Sequence, residues 1–233
     1  MKQIVKTGFL IACICLAGST TRTAAQIGAG SINTLTDGNG NPILSKKSSP
    51  AEGVYLFNKN YLPGVLYLDE THKPVTGSKF KLNLQDSKLY FIDAAGTEME
   101  VTGIVKRVEF TGAGANGTDA VFEKGFPSID RLTANNFYQV LVSGKALLLM
   151  DTKFSEVEYK EYNSASTARR TDKLISYYGI LGNRITKLNK PEDVLLLLTD
   201  KTKQVSDFMK QENSKVKKQG DLEKIFRYYN GLQ

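Results

Sequence analysis

The feature that most constrains this chain is a two-residue rhythm of apolar side chains over its middle. Phe80, Leu82 and Leu84 alternate with Lys79, Lys81, Asn83 and Gln85. Such alternation builds strands with one dry face and one wet face, and so predicts an antiparallel sheet. The rhythm runs from Tyr61 to about Lys187, broken by short turn signals. Gln85-Asp86-Ser87 precedes Leu89–Ile92, Asp93-Ala94-Ala95-Gly96 precedes Glu98–Val101, and Ser143-Gly144 separates Phe137–Val142 from Ala146–Met150. These are hairpin spacings. Further strands are expected at Ile104–Phe110, Phe154–Tyr162, Leu174–Tyr178 and Arg184–Leu188. About nine or ten short strands predict an antiparallel meander, either a strongly curved sheet or a partly open barrel.

At Asn189 the rhythm changes. Asn189 and Glu192 have capping-box spacing around Pro191, and Val194–Leu198 follow as a short apolar helix. Val205, Phe208 and Met209 fit a second helix, and Leu222, Ile225, Phe226 and Tyr229 a third, ended by Asn230-Gly231. Helices this short are unstable alone and must bury their stripes on a neighbour. The fold class is therefore α+β and mainly β, with about three C-terminal helices (189–233) capping the sheet of a single 51–233 domain.

The N-terminus reads as an address. Lys2 and Lys6 precede the apolar stretch Thr7–Gly18, and Thr23-Ala24-Ala25 suits signal-peptide cleavage before Gln26. Leu10-Ile11-Ala12-Cys13 has the form of a lipoprotein box. The apolar run before Cys13 is short for that purpose, and Cys-Ile-Cys-Leu-Ala is a poor tether, so a lipid on Cys13 is the alternative to a 1–25 signal. Cleavage removes Lys2, Lys6 and Arg22 and no acid, leaving 28 cations against 24 acids and a net charge of +4. Cys13 and Cys15 leave with the signal, which excludes thiol chemistry and disulfides from the mature chain. Residues 26–50 are poor in large apolar groups and rich in turn formers, and read as a flexible leader.

One histidine and no tryptophan narrow the chemistry further. Each motif has a plainer reading. The run Asp37-Gly38-Asn39-Gly40-Asn41-Pro42 has calcium-loop letters, but Pro42 and Ser48 stand where Gly and Glu belong. Gly112-Ala113-Gly114-Ala115-Asn116-Gly117 matches GxGxxG, yet no amphipathic helix follows to hold a pyrophosphate, so it reads as a loop between strands. Ser214-Lys215-Val216-Lys217 contains Ser-x-x-Lys in a polar connector rather than on one helical turn. Glu156 and Glu158 share one face of a strand, where a carboxylate pair can serve glycoside hydrolysis, but alternating Glu is the usual solvent face. His72 lies in a turn without a recognisable Ser or Cys partner. Lys215, Lys217 and Lys218 suit an anionic membrane surface better than nucleic acid. Tyr177, Tyr178, Tyr228 and Tyr229 read as core or rim residues. No catalytic, cofactor or metal residue is assigned.

Several short motifs together carry a resemblance. Pro191–Leu196, Asp200-Lys201, Phe208-Met209-Lys210, Asp221-Leu222 and Tyr228-Tyr229-Asn230 resemble the tail of a group of exported, β-rich envelope proteins of Gram-negative bacteria. Leu62–Tyr67, Lys81-Leu82-Asn83 and Leu89-Tyr90-Phe91 are similar to its front half. The resemblance implies a layout and an address, with no assigned activity and no functional residue. The expectation is an exported, non-enzymatic envelope protein acting as a binding or interaction module. Its partner would be an envelope protein, an anionic membrane surface, or an apolar small molecule held inside the capped sheet. The alternatives are a periplasmic hydrolase using carboxylates on the sheet rim, and a structural envelope component.

Overall fold

The computed structural model describes residues 35–48, 55–69, 72–114, 117–160 and 167–232. The expected signal, with Cys13 and Cys15, lies outside them. Eleven strands form one antiparallel sheet. They are β1 (Ser45–Lys47), β2 (Leu62–Tyr67), β3 (Val75–Asn83), β4 (Lys88–Ile92), β5 (Glu98–Val101), β6 (Arg107–Phe110), β7 (Ala120–Glu123), β8 (Tyr138–Val142), β9 (Ala146–Lys160), β10 (Thr167–Leu181) and β11 (Arg184–Lys187). Their order is β1-β5-β4-β3-β2-β6-β7-β8-β9-β10-β11, open at both ends. Two meanders therefore meet at β2, which pairs with β3 on one side and β6 on the other.

The sheet curls because its connections are short. β5 and β6 lie four strand positions apart, about 19 Å across a flat sheet. The link from Val101 to Arg107 spans at most about 20 Å when fully extended. Yet Thr102 and Gly103 turn aside to donate to Leu44 O at 2.9 and 3.1 Å. Only a rolled sheet brings the two strands close enough. The inside of the roll is packed by Phe80, Phe110 and Phe122 with the half-buried Phe57, whose ring lies edge-on to Phe122 at 4.8 Å.

Residues 35–48, expected to be part of a flexible leader, are instead built into this roll. Ser45–Lys47 pair with Met99–Val101, and Leu35 and Ile43 are buried. Composition hid this, since two apolar anchors and one buried turn suffice to hold the segment. The turn is organised by Asp37, whose carboxylate accepts from Asn39 N and Asn41 N, both at 2.8 Å, and from Asn41 Nδ2 at 3.0 Å.

In the second half, β9 and β10 are each 15 residues long where short strands were expected. Beyond Met150 and Tyr177 they pair only with one another among the described residues. The resulting ribbon is about 33 Å long. Two strands alone are marginal in water. Its base is steadied by the β3–β4 turn, where Lys153 Nζ donates to Gln85 O at 3.1 Å and Phe154 N to Gln85 Oε1 at 3.0 Å.

Three helices cover one face of β8–β10, as their apolar stripes require. They are α1 (Pro191–Leu197), α2 (Thr202–Gln211) and α3 (Gln219–Gly231). Val194, Leu197, Val205, Leu222, Ile225 and Phe226 pack on Val142, Ala146 and Leu148. Burying each such side chain contributes about 1.5–3 kcal/mol. The first helix starts one residue later than its capping letters suggested. Asp193 Oδ2, rather than Glu192, accepts from Asn189 N and Lys190 N at 2.9 and 3.1 Å.

The residues that carry the resemblance turn out to dock the tail. Asn230 Oδ1 accepts from Ala146 N at 2.8 Å while its Nδ2 donates to Ala146 O at 2.9 Å, so the amide pairs with β9 as a neighbouring strand would. Tyr229 OH donates to Asp200 Oδ1 at 2.8 Å, and Lys145 Nζ reaches Asp200 Oδ2 at 2.6 Å.

Candidate functional site

A cavity of about 690 Å³ lies on the sheet face opposite the helices, at the base of the β9–β10 ribbon. Register builds its floor. Asp151 on β9 stands directly across from Ser176 on β10, with Lys153 opposite Leu174 one step outward and Tyr178 opposite Lys187 on β11. The same parity points Leu149, Tyr178 and Ile180 at Phe126 and Leu132 of the β7–β8 connection, which folds over this face. The cleft wall is a tight turn in that connection. Ile129 and Leu132 exchange backbone hydrogen bonds at 3.1 and 2.9 Å, leaving Asp130 and Arg131 at the tip. Asp130 adopts φ +53°, a left-handed conformation that Asp tolerates better than most residues.

The two carboxyls of the cleft are shifted in opposite directions. Lys187 Nζ lies 2.9 Å from Asp130 Oδ2, and Tyr178 OH donates to the same oxygen at 3.3 Å. The ammonium, helped by the phenol, holds Asp130 below the usual carboxylate range. Asp151 is the reverse: burial raises its pKa, and Lys153, 4.0 Å away, only partly opposes the effect. Burial also pushes the Tyr178 phenol up to about 12. Behind it stands Tyr138, fully buried and edge-on to Tyr178 at 5.6 Å. The Tyr138 hydroxyl has no hydrogen-bond partner among the described residues, and burial holds that phenol protonated as well.

Little in the sequence marked these residues, which are spread from Gln85 to Lys187. One signal was present. Asp151 directly follows the apolar run Ala146–Met150 and shares the inward parity of Leu149. An acid at that position is buried by the strand that carries it.

The motifs of the sequence lie elsewhere. Asp37 spends its carboxylate on its own turn. The Gly112–Gly117 loop, of which residues 115 and 116 lie outside the described set, joins antiparallel β6 to β7, a strand-to-strand link where a pyrophosphate site needs a strand-to-helix one. Ser214 sits in the α2–α3 connector with its hydroxyl buried, whereas Lys217 is exposed. Lys215 and Lys218 are exposed in the same connector. Glu156 accepts from Tyr55 OH at 2.6 Å and Glu158 from Arg169 Nε at 2.8 Å, both at the ribbon surface. His72 Nδ1 is 2.7 Å from Asp69 Oδ1, and the pair raises the imidazole pKa. Tyr177 packs under the helices and Tyr228 stacks on Phe208 at 4.1 Å.

The geometry thus defines a polar cleft on an open, curled antiparallel sheet. No protein-family model, curated protein or solved structure matches the chain. No group of His, Cys, Asp and Glu among the described residues is arranged to hold a metal ion.

Proposed function

We propose that the chain is an exported, non-enzymatic binding module of the cell envelope whose ligand is polar and sits at the base of the β9–β10 ribbon. The carrying observation is the cavity itself. At about 690 Å³ it falls in the size range of ligand pockets, and charged, amide and hydroxyl side chains converge on it. The sequence allowed an apolar guest beneath the helices, but that space is filled by Leu197, Leu222, Ile225 and Phe226, each at most 1% exposed. The address rests on the signal pattern at residues 1–25, with a lipid on Cys13 as its alternative, and on the resemblance of the tail. The test is affinity capture from the native envelope, followed by mass spectrometry of co-purifying proteins and small molecules. A Leu174→Trp chain, altered at an exposed rim position, serves as control. A partner or ligand lost with that substitution supports the proposal. Identical recovery with both chains refutes it.

A second reading, a hydrolase, is favoured by the divergent carboxyls. Asp151, shifted towards its protonated form, and Asp130, shifted towards its ionised form, lie in one cleft and match in direction the division of labour between general acid and general base. Asp151 would protonate the departing oxygen while Asp130 takes a proton from the attacking water. The Lys187 pairing weakens Asp130 as a base, which is why binding is preferred. Release of reducing ends from envelope glycan by the wild-type chain, abolished in Asp151→Asn, would establish this reading.

A further inference from the structure

The hydrogen-bonding state of the cleft specifies its ligand more closely, given the binding role proposed above. Gln85 Oε1 is taken by Phe154 N at 3.0 Å. Asn136 Oδ1 is taken by Thr133 N at 2.8 Å and Thr133 Oγ1 at 3.2 Å. A backbone N–H can only donate, so both amides are fixed with oxygen inward and –NH2 outward. Their Nε2 and Nδ2 groups have no partner among the described residues, and neither has the Arg131 guanidinium. Asp130 Oδ2 is occupied by Lys187 and Tyr178, so Asp130 Oδ1 and the buried Asp151 carboxyl are the acidic acceptors that stand against these three donor groups. What remains for a ligand is mainly donors.

Charge points the same way. Arg131, Lys153 and Lys187 face Asp130 and Asp151, a surplus of one positive charge even with both carboxyls ionised. Lys187 and Asp130 cancel as a contact pair. Lys153 is held by the carbonyls of Leu84 and Gln85 and lies 4.0 Å from Asp151 Oδ1, the acid it offsets. Arg131 is therefore the cation available to a ligand, and its planar fork matches a carboxylate. With both carboxyls ionised, the single surplus charge suits a monoanion better than a phosphate dianion. The cavity is also too large for a simple acid, and Leu132 and Leu174 offer apolar surface to the C–H face of a ring. We infer that the cleft binds an acceptor-rich monoanion of ring size, a saccharide unit bearing a carboxylate, with Arg131 as the carboxylate contact and the amides of Gln85 and Asn136 donating to its hydroxyl or ring oxygens.

The test is calorimetric titration of the mature chain with trigalacturonate and trimannuronate, with their methyl esters as neutral counterparts, and with inorganic phosphate. Binding of at least one free acid, roughly 10- to 100-fold tighter than its ester, is expected from a charge-assisted bidentate contact. Arg131→Gln should erase that preference, while Arg169→Gln, outside the cleft, leaves it intact. Equal binding of acid and ester, or a preference that survives Arg131→Gln, overturns the inference while leaving a polar-ligand role standing. Phosphate bound more tightly than either uronate overturns it in favour of a phosphorylated ligand. If no probe binds and envelope capture also recovers nothing dependent on the cleft, the binding role itself falls.

Discussion

Gly179 is a point of close approach between the helices and the sheet, and replacing it tests how the two halves of the fold depend on each other. The residue is buried on β10, on the face covered by α1 and α3. A Cβ at this position would stand 2.8 Å from Phe226 Cζ and closer still to Leu197 Cδ2. Both neighbours are core residues, at 0% and 1% exposure, so neither can swing into solvent. Overpacking of this kind costs about 1–3 kcal/mol. Against it stands the gain of about 0.5–1 kcal/mol from replacing a strand glycine by alanine. Gly179→Ala should therefore lose up to about 2.5 kcal/mol, and Gly179→Val more. For a chain of this size that lowers Tm by up to about 10 °C. Thermal and urea melts followed by circular dichroism would measure it. The contact can be isolated with Leu197→Ala, which alone should cost about 2–5 kcal/mol. Because it vacates the space the new methyl needs, the double variant should be less destabilised than the sum of the singles, by about 0.5–3 kcal/mol. A Gly179→Ala chain more stable than wild type, or strict additivity in the double, would refute close docking at this point.

Other outcomes follow from the same structure. Asn230→Ala leaves the Ala146 N–H and C=O without their amide partner and should cost about 1–3 kcal/mol in urea melts; an unchanged midpoint would show that water replaces the amide at no loss. Asp151 has a folded pKa raised by burial. Stability should therefore decline as pH rises from the ordinary aspartate value through the raised one, and level off above it. Asp151→Asn should remove that decline and be at least as stable as wild type at neutral pH, and a destabilised Asp151→Asn would mean that the ionised carboxylate has a favourable partner. For Asp200 the sign is opposite. Lys145 and Tyr229 hold its pKa low, so the penalty of Asp200→Asn should be present at neutral pH and vanish as acid protonates the wild-type carboxylate; a penalty that persists in acid would argue against the ion pair. Removing 189–233 uncovers Ala146, Leu148 and Leu188 and should abolish cooperative melting, whereas a fragment melting as sharply at the wild-type temperature would show the helices to be an accessory.

The Phe80-Leu82-Leu84 alternation was enough to identify an antiparallel sheet with one buried face, because a strand's side-chain period is a local property. The stripe Leu222, Ile225, Phe226 and Tyr229 likewise foretold a helix, and all four residues are buried. What local pattern could not supply was order and length. Ser45–Lys47 reach β5 across the chain, and the length of the ribbon is set by the pairing of Thr167–Leu181 with Ala146–Lys160, not by apolar spacing on either strand. The cleft was the least legible part. Asp130, Asp151, Tyr178 and Lys187 are unremarkable as letters. They become a site because strand register places three of them on one face and a folded-over turn brings in the fourth. Local physics thus sufficed for the elements and their dry sides. Which distant charges share a low-dielectric floor depends on long-range pairing, whose free energy belongs to residues far apart in the chain.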